Sequence, residues 1–170
     1  MSDYMRHLRS MVGTTVLEVP TVSIVAYDEA DRVVLVRHAE GGDWTTPGGM
    51  IEPYEIPADA AVREAFEETG LFVELTGLIG VFGGPLCTST YANGDRLSWI
   101  STVFAARPID GTLRPDGEET LDVRWFSRDD VRQVRCKPHV ALFLDAAWSE
   151  DRRGHFQKAA WRPPAQHPPT

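Results

Sequence analysis

The sequence predicts an α+β fold, an α/β/α sandwich in which a mixed β-sheet lies between helices. Three observations support this class. Short β-rich runs recur along the chain, one long helix is predicted near its middle over residues 58–69, and a further helix is predicted late in the chain over residues 138–148. The 170 residues suffice for one domain with its own core, and neither an internal repeat nor a linker divides them.

The N-terminal part begins with a short helix predicted over residues 3–12, which ends at Gly13 and packs on the domain. We assign residues 1–13 to this helix, residues 14–150 to the main domain, and residues 151–170 to a polar, proline-rich C-terminal tail. A tail this rich in proline cannot build a core, so we expect it to be extended or disordered.

The strands are predicted from β-rich runs bounded by turn residues. Pro20 separates the first two runs, and the polar turn at residues 28–31 indicates that the second and third form a hairpin. The apolar run at residues 33–36 predicts a strand that is covered on both faces. A turn is predicted at residues 110–111 and a short helix at residues 128–131. The strand runs are residues 14–19, 21–27, 32–37, 44–46, 72–75, 78–82, 97–106 and 119–126.

Composition restricts the partners and the location of the protein. The chain has 25 acidic and 17 basic residues and a net charge of -8. This charge argues against a basic binding face, so no nucleic-acid partner is predicted. No apolar run approaches the about 20 residues of a membrane span, and the N-terminus lacks the apolar core of a signal peptide. Cys87 and Cys136 are too few for a disulfide framework, so we predict a cytoplasmic protein with two free thiols.

The central helix carries the clearest chemical signal. Glu64, Glu67 and Glu68 stand at i, i+3 and i+4, so they project from one helix face. Like charges this close destabilise a helix unless a cation lies among them, and oxygen-only ligands favour Mg²⁺ or Mn²⁺. In the preceding Pro-Gly-Gly turn, Gly48 allows a backbone carbonyl to turn inward as a further ligand. The alternative for the acids alone is a solvated helix face, which is common.

Residues 49–71 resemble the signature of the Nudix hydrolase family. That signature is a glycine, five residues, a glutamate, seven residues, Arg-Glu, an apolar and any residue, Glu-Glu, any residue, a glycine and an apolar residue. Every fixed position is filled, although the alanine in the apolar position is small. The flanking order of strands, from about residue 15 to residue 148, is also similar to the family fold. The matching residues are Gly49, Glu55, Arg63, Glu64, Ala65, Glu67, Glu68, Gly70 and Leu71.

The resemblance implies a Nudix-like fold and a Nudix hydrolase domain over residues 14–150. It also implies hydrolysis of a diphosphate linkage in a nucleoside diphosphate joined to another group: an ADP-ribose-like compound, a nucleoside triphosphate or another such conjugate. A metal cluster would neutralise the pyrophosphate and lower the pKa of a bound water, which attacks phosphorus. The implied partner is therefore a nucleotide-type small molecule. Homodimers are common among relatives, so a homodimer is an open expectation.

The match also implies roles for single residues. Glu64 and Glu68 are expected to bind the metal directly, and Glu67 to bind it or to hold metal-bound water. The Gly48 carbonyl is expected to complete the metal shell. Arg63 is expected to orient carboxylates by pairing with Glu55 or Glu67.

The general base stays open at this stage. In the family it is sometimes a signature glutamate, here one of Glu64 and Glu67, and sometimes an acid on a distant loop. The loop candidates are Asp116, Glu118 and Glu119. We prefer Glu118 or Glu119, because they lead into a strand that is expected to pass near the central helix. For each of them the alternative is an exposed hairpin loop without a catalytic role.

Substrate recognition is predicted from side chains near the loops. Arg37 and His38 end a strand near the Pro-Gly-Gly turn and are expected to meet phosphate or base, although a surface salt bridge is the alternative for Arg37. Tyr91 lies among polar residues in the loop 83–96 and is expected to stack on a base. Phe82 and Trp99 are expected to pack in the core instead.

Two other functions compete with hydrolysis. A non-catalytic nucleotide-sensing module on the same fold would usually have lost signature acids and gained a DNA-binding domain, and neither is seen here. A prenyl-diphosphate isomerase would need a cysteine and an acid near the site, for which Cys87 is the only candidate thiol. The sequence does not name the substrate, because specificity depends on loops around residues 38–43 and 83–96.

Overall fold

The strands divide between two sheets. The computed structural model describes residues 3–39, 41–149, 154–156 and 158–159. The larger sheet is mixed and has the order β1-β6-β4-β8, with β5 also pairing with β6. In it β1 and β6 are parallel, β4 and β5 are antiparallel to β6, and β8 is parallel to β4. These strands are β1 (Leu17–Ala26), β4 (Leu71–Phe82), β5 (Thr88–Thr90), β6 (Arg96–Gly111) and β8 (His155–Phe156).

The smaller sheet is antiparallel and has the order β3-β2-β7. Its strands are β3 (Trp44–Thr45), β2 (Val33–His38) and β7 (Thr120–Phe126). The helices are α1 (Asp3–Val12), α2 (Pro57–Thr69), α3 (Arg128–Val131) and α4 (Pro138–Ala147). None of the helices within the described ranges is long and apolar enough to cross a membrane. A mixed sheet packed with helices confirms the predicted α+β class.

The predicted hairpin between residues 21–27 and 32–37 is wrong. The two strands belong to different sheets, and only Tyr27 and Val33 form an isolated bridge. The Asp28 carboxylate accepts hydrogen bonds from the backbone of Ala30 and Arg32, so the turn itself forms as expected. After the turn the strands part: β1 pairs with β6, whereas β2 pairs with β3 and β7.

The sequence predicts that a strand ends at Pro20, but β1 continues through this residue. The backbone groups of Pro20, Val22 and Ile24 face the same side of β1. There the N–H groups of Val22 and Ile24 donate to the carbonyls of residues 49 and 47, and the Pro20 carbonyl accepts from Ile51. The N–H that proline lacks would therefore face this irregular loop and not the ladder with β6. Proline is tolerated on such an edge.

Two further boundaries differ from the predictions, and two short strands were missed. The runs 72–75 and 78–82 form one strand, β4, whose register shifts at Leu75/Gly77 and Leu78/Gly80 are bulges. The predicted turn at residues 110–111 is the end of β6, because Leu71 and Phe72 pair with it. The short strands β5 and β8 were not predicted. β8 pairs with Gly80 and Val81, and the remainder of the predicted tail lies almost entirely outside the described residues.

The strand β2 lies between two core clusters, as its apolar run predicted. Val33, Val34, Leu35 and Val36 are at most 1% exposed. Val34 and Val36 pack with α2 and both sheets in the first cluster, whereas Val33 and Leu35 pack with α4 in the second. Because side chains alternate along a strand, His38 continues the α2 side of β2 and Arg37 continues the α4 side. This alternation decides which of them reaches the acidic helix.

The helix α2 is held close to the sheets by small residues. Ala60, Ala61 and Ala65 are at most 2% exposed in the first cluster. Pro57 stands in the first turn, and Gly70 ends the helix with φ +73°. The glutamates therefore start from a helix whose position is fixed at both ends and along its buried side.

Candidate active site

Arg63 is the centre of the acidic cluster. Its guanidinium donates to both Glu55 carboxylate oxygens at 2.8 and 2.9 Å, to Glu64 Oε1 at 2.8 Å and to Glu67 Oε2 at 3.0 Å. It also donates to the Met50 carbonyl at 3.1 Å. The bidentate pair lowers the pKa of Glu55 and, with Glu64, raises that of Arg63. One arginine thus ties three glutamates and the loop before the helix together.

Glu68 is the buried acid of the cluster, with 5% of its surface exposed. Its Oε2 accepts a hydrogen bond from the Gly48 backbone N–H at 2.9 Å, and its Oε1 lies 3.3 Å from His38 Nε2. The contact with Glu68 raises the pKa of His38, whereas burial alone would lower it. His38, predicted to meet substrate, is therefore placed directly against a predicted metal ligand.

The loop 47–51 presents the Gly48 carbonyl away from β1. The carbonyls on either side, of Pro47 and Gly49, accept hydrogen bonds from β1, while no described hydrogen bond reaches that of Gly48. A Cβ at residue 48 would lie 2.2 Å from the Val22 carbonyl oxygen, so only glycine fits. The carbonyl predicted as a ligand is thus left with its lone pairs unused.

Glu64 lies between Arg63 and the Gly49 backbone. A Cβ at residue 49 would lie 2.4 Å from Glu64 Oε1, so the missing side chain makes room for this carboxylate. Burial raises the pKa of Glu64 to about 7, the neighbouring charges of Glu68 and Glu67 add to the rise, and Arg63 opposes it. The negative charge of Glu64 is therefore only partly compensated by the protein.

The predicted base candidates separate in the structure. Asp116 Oδ1 accepts from the backbone of Glu118 and Thr120, so this acid shapes its own loop. Glu118 and Glu119 are both exposed. Glu119 lies beside β2: its carbonyl accepts from Ala39, and its charge helps to raise the pKa of His38. Of the three, Glu119 is the acid that adjoins the cluster around Glu68.

Two predicted substrate-binding residues lie away from the cluster. Arg37 faces the α4 side of β2, where its guanidinium lies 3.6 Å from Asp122 Oδ2 and over the Trp44 ring. Tyr91 follows β5, at the tip of the hairpin that joins β5 to β6. The strand β5 pairs with residues 96–98, which lie beside the start of β1. The Gly48 loop packs near Ser23, about 20 Å further along β1 at roughly 3.3 Å per residue.

A set of buried polar side chains was not predicted. Ser101 and Thr120 are completely buried, and Thr46 is 3% exposed. The hydroxyls of Thr46 and Thr120 have no hydrogen-bond partner within the described ranges. Thr46 lies two residues before Gly48, and Thr120 pairs with His38. The available signal was a polar residue within or beside a β-rich run, which is also common in ordinary strands.

Comparison with known proteins agrees with this geometry. The model of the NUDIX domain family matches residues 17–146. The chain belongs to the Nudix hydrolase family. The resemblance noted in the signature is thereby confirmed, and with it the assignment as a hydrolase. Proteins of this family generally depend on a divalent metal.

Similar proteins act on different substrates. The chain is 33% identical to a MutT-like protein of Streptomyces ambofaciens over 74% of this chain and 75% of that protein. It is 32% identical to diphosphoinositol polyphosphate phosphohydrolase 3-alpha of Mus musculus, over 83% and 84%. It is 35% identical to the 8-oxo-dGDP phosphatase NUDT18 of Homo sapiens over 72% of this chain but 36% of that protein, so it spans about a third of its length.

Solved structures show the same fold. The structure of a MutT NUDIX hydrolase from Burkholderia pseudomallei superposes with a TM-score of 0.64 at 24% identity, covering 76% of this chain and 98% of the other. This similarity supports the Nudix fold and leaves the substrate undetermined.

The Nudix site fits a divalent cation by the chemistry of its donors. Among the described residues, no group of three or more His, Cys, Asp and Glu side chains already converges to hold a metal ion. The reason is that Glu64 and Glu67 turn toward Arg63, while Glu68 turns toward Gly48. The donors are nevertheless all oxygens, one carbonyl is unused, and the charge of Glu64 is under-compensated. These are the properties that a hard divalent cation requires.

The thiols of the Nudix domain lie away from the acids. Both cysteines are free, as predicted. Cys87 is completely buried in the second core cluster, where Phe82 also packs as expected, and burial raises the pKa of its thiol. The cysteine that an isomerase would use is therefore not presented to the acidic cluster.

His139 makes the folded protein sensitive to acid. Burial, together with the charges of Lys137 and His38, lowers its pKa to about 4, and its Nε2 lies 3.1 Å from the Thr45 hydroxyl. Between pH 6.5 and 4, His139 is protonated in the unfolded chain but stays neutral in the folded chain. The free energy of unfolding should therefore fall as the pH falls, by about 3 kcal/mol from this residue.

Urea unfolding of the wild type and of His139→Gln at pH 7, 6, 5 and 4 checks this. The variant should start less stable, because it loses the packing of the ring on Trp99 and Phe143, but should lose less stability on acidification. Parallel pH profiles for the two proteins would contradict a neutral, buried His139.

Proposed function

We propose that the protein is a Nudix pyrophosphohydrolase that cleaves the diphosphate linkage of a nucleoside diphosphate joined to another group, using Mg²⁺ or Mn²⁺. The substrate class comprises ADP-ribose-like compounds, nucleoside triphosphates and other conjugates of nucleoside diphosphates. The observation that carries the proposal is the pairing of an acidic cluster with an unused backbone carbonyl, both held in place by Arg63 and Glu68. A relative named as an 8-oxo-dGDP phosphatase favours a nucleotide.

Glu64, Glu68 and the Gly48 carbonyl would hold the cation, and Glu67 would complete or support the set. When bound, the cation neutralises diphosphate charge and makes water a better nucleophile. Glu68 also fixes the Gly48 loop, because it accepts the Gly48 N–H. Arg63 restrains Glu64 and Glu67 by hydrogen bonds to one oxygen of each, so their carboxylates are oriented before a cation binds. The protein thus supplies position and charge, which are the main requirements of phosphoryl chemistry.

For the general base we propose Glu119, with Glu118 as its less well placed neighbour. Glu119 directly precedes β7; its carbonyl accepts from the backbone of Ala39, and its charge helps to raise the pKa of His38. His38 bridges the two acids electrostatically, because both Glu68 and Glu119 favour its charged form. A base in this position can take the proton of an attacking water, which is the usual role of a loop acid in such a reaction.

The unpartnered hydroxyls of Thr46 and Thr120 lie beneath the site, where neither reaches the surface. Both border the residues that hold Glu68, and buried hydroxyls without partners are costly unless a ligand or water satisfies them. For substrate contact we favour His38, which lies against Glu68, over Arg37 and Tyr91, whose positions were described above.

A diphosphoinositol polyphosphate is a second candidate substrate, favoured by the 32% identity to a phosphohydrolase of that name. It has no base, so it would use the same acidic cluster with different outer contacts. A non-catalytic sensor is disfavoured, because every acid of the signature is present. A cytoplasmic location and a homodimer remain predictions; cell fractionation and light scattering would test them.

Replacement of Glu68 tests the metal assignment. Purified protein with Mg²⁺ and a panel of nucleotides and inositol pyrophosphates should release phosphate, pyrophosphate or a nucleoside monophosphate from at least one class. Glu68→Gln should lower kcat by about a thousandfold, because it removes the charge that both the cation and His38 need. Glu74→Gln, at an exposed acid on β4, is the matched control and should leave kcat unchanged. Full activity of Glu68→Gln with native circular dichroism would refute the assignment.

Glu119→Gln and Glu118→Gln separate the two base candidates. Loss of a general base costs about 100- to 10,000-fold, so Glu119→Gln should lower kcat by at least the smaller factor. Glu118→Gln should retain most activity, because the described hydrogen bond of Glu118 stays within its own loop, to Asp116. Steady-state kinetics across pH 6 to 9 is the measurement. The reverse order of effects would move the base to Glu118, and unchanged kcat in both would return it to a signature glutamate.

A further inference from the structure

The turn before α2 contains a strained, exposed aromatic residue. The Glu55 N–H donates to the Glu52 carbonyl at 3.0 Å, which closes a turn with Pro53 second and Tyr54 third. Tyr54 has φ +70°, in the left-handed region that favours glycine. For a bulky residue this conformation is an outlier that persists only where the surroundings enforce it.

The Arg63 network enforces this turn. The Glu52 N–H donates to Glu55 Oε2 at 3.0 Å, and both Glu55 oxygens accept from Arg63. The residues on both sides of Tyr54 are thereby fixed to the acidic cluster. Tyr54 is separated from the Glu64 carboxylate by one neighbouring residue and one guanidinium. Its backbone is therefore held on both sides by contacts that lead to the cluster.

The side chain of Tyr54 does nothing for the fold. Its relative exposure is 106%, and it takes part in none of the ring contacts recorded among the described residues. Glycine would form the same turn without strain. Beside the turn lies an apolar groove of about 180 Å³, to which Pro53, Met50 and Tyr4 of α1 contribute. The same loop thus offers an open aromatic ring and an apolar surface next to the acids.

We propose that Tyr54 is a specificity-determining residue that stacks on the base of a nucleotide whose diphosphate is held at the acidic cluster. The inference rests on the proposed function for the nucleotide class and adds the residue that reads the base. The base would lie against the Tyr54 ring and the neighbouring groove, burying apolar surface that is exposed in the free protein. Strain in the turn is retained because it presents the ring at a fixed place.

Binding of hydrolysis-resistant ligands tests this independently of turnover. The probes are α,β-methylene-ADP and its guanine counterpart, with methylenediphosphonate as the ligand that lacks a base, all titrated calorimetrically in Mg²⁺. Tyr54→Leu should bind both nucleotides about tenfold more weakly, because base–aromatic stacking is lost. It should bind methylenediphosphonate as the wild type does. Tyr54→Phe keeps the ring and should behave as the wild type.

Two further variants exclude indirect effects. Tyr54→Gly should raise Tm, because the strain is relieved, and should still bind the nucleotides more weakly. Phe72→Leu, at an exposed aromatic residue on β4, is the matched control and should change the affinity for neither the nucleotides nor methylenediphosphonate. A Tyr54→Gly variant with raised Tm and weakened nucleotide binding cannot be explained by damage to the fold.

Three results would overturn the proposal. Tyr54→Leu could bind the nucleotides as tightly as the wild type does, which would leave the Tyr54 ring available to a macromolecular partner instead of a nucleotide base. It could lose affinity for methylenediphosphonate to the same degree, or the wild type could fail to prefer nucleotides over methylenediphosphonate. If the protein hydrolysed no substrate but Tyr54→Leu still weakened nucleotide binding selectively, the proposed function would be rejected. The role of Tyr54 in base binding would stand.

Discussion

The contacts of Arg63 are the interaction on which the acidic site depends. Crowded carboxylates on one helix face repel one another, and without a cation the protein must compensate them itself. A single guanidinium does so by binding Glu55, Glu64 and Glu67, and it also binds the Met50 carbonyl of the preceding loop. The loop, the turn and the helix are therefore positioned together. The same contacts hold the carboxylates ready and enforce the strained turn at Tyr54.

The second determinant is the alternation of side chains along β2. Because consecutive residues face opposite sides, His38 reaches Glu68 while Arg37 pairs with Asp122 on the other side. The loop 47–51 runs alongside β1 and directs the Gly48 carbonyl away from that strand. The site is thus assembled from α2, a loop bound to β1 and the end of β2, and each part is held by the core that lies beneath it.

Local signals predicted the parts of the protein that depend on local rules. The glutamates follow from helical spacing, and the burial of residues 33–36 follows from their continuous apolar run. The pairing of strands was harder, because it depends on which surfaces remain to be covered elsewhere. The β1–β2 hairpin failed for this reason, and the placement of Tyr91 depended on the unpredicted strand β5. The unpartnered hydroxyls of Thr46 and Thr120 could not be distinguished from ordinary strand residues without coordinates.

The proposed metal site depends on Arg63, which orients the oxygens that bind a divalent cation. Titration of Mn²⁺ by electron paramagnetic resonance, with the wild type, Arg63→Gln and Arg107→Gln, tests it most directly. Arg63→Gln removes no proposed ligand and deletes a positive charge, which by itself would strengthen cation binding. Loss of orientation should nevertheless weaken Mn²⁺ binding about tenfold or more, as for other residues that position metal ligands, and Arg107→Gln, at an exposed pair, should have no effect. Equal or tighter binding by Arg63→Gln would contradict the claim.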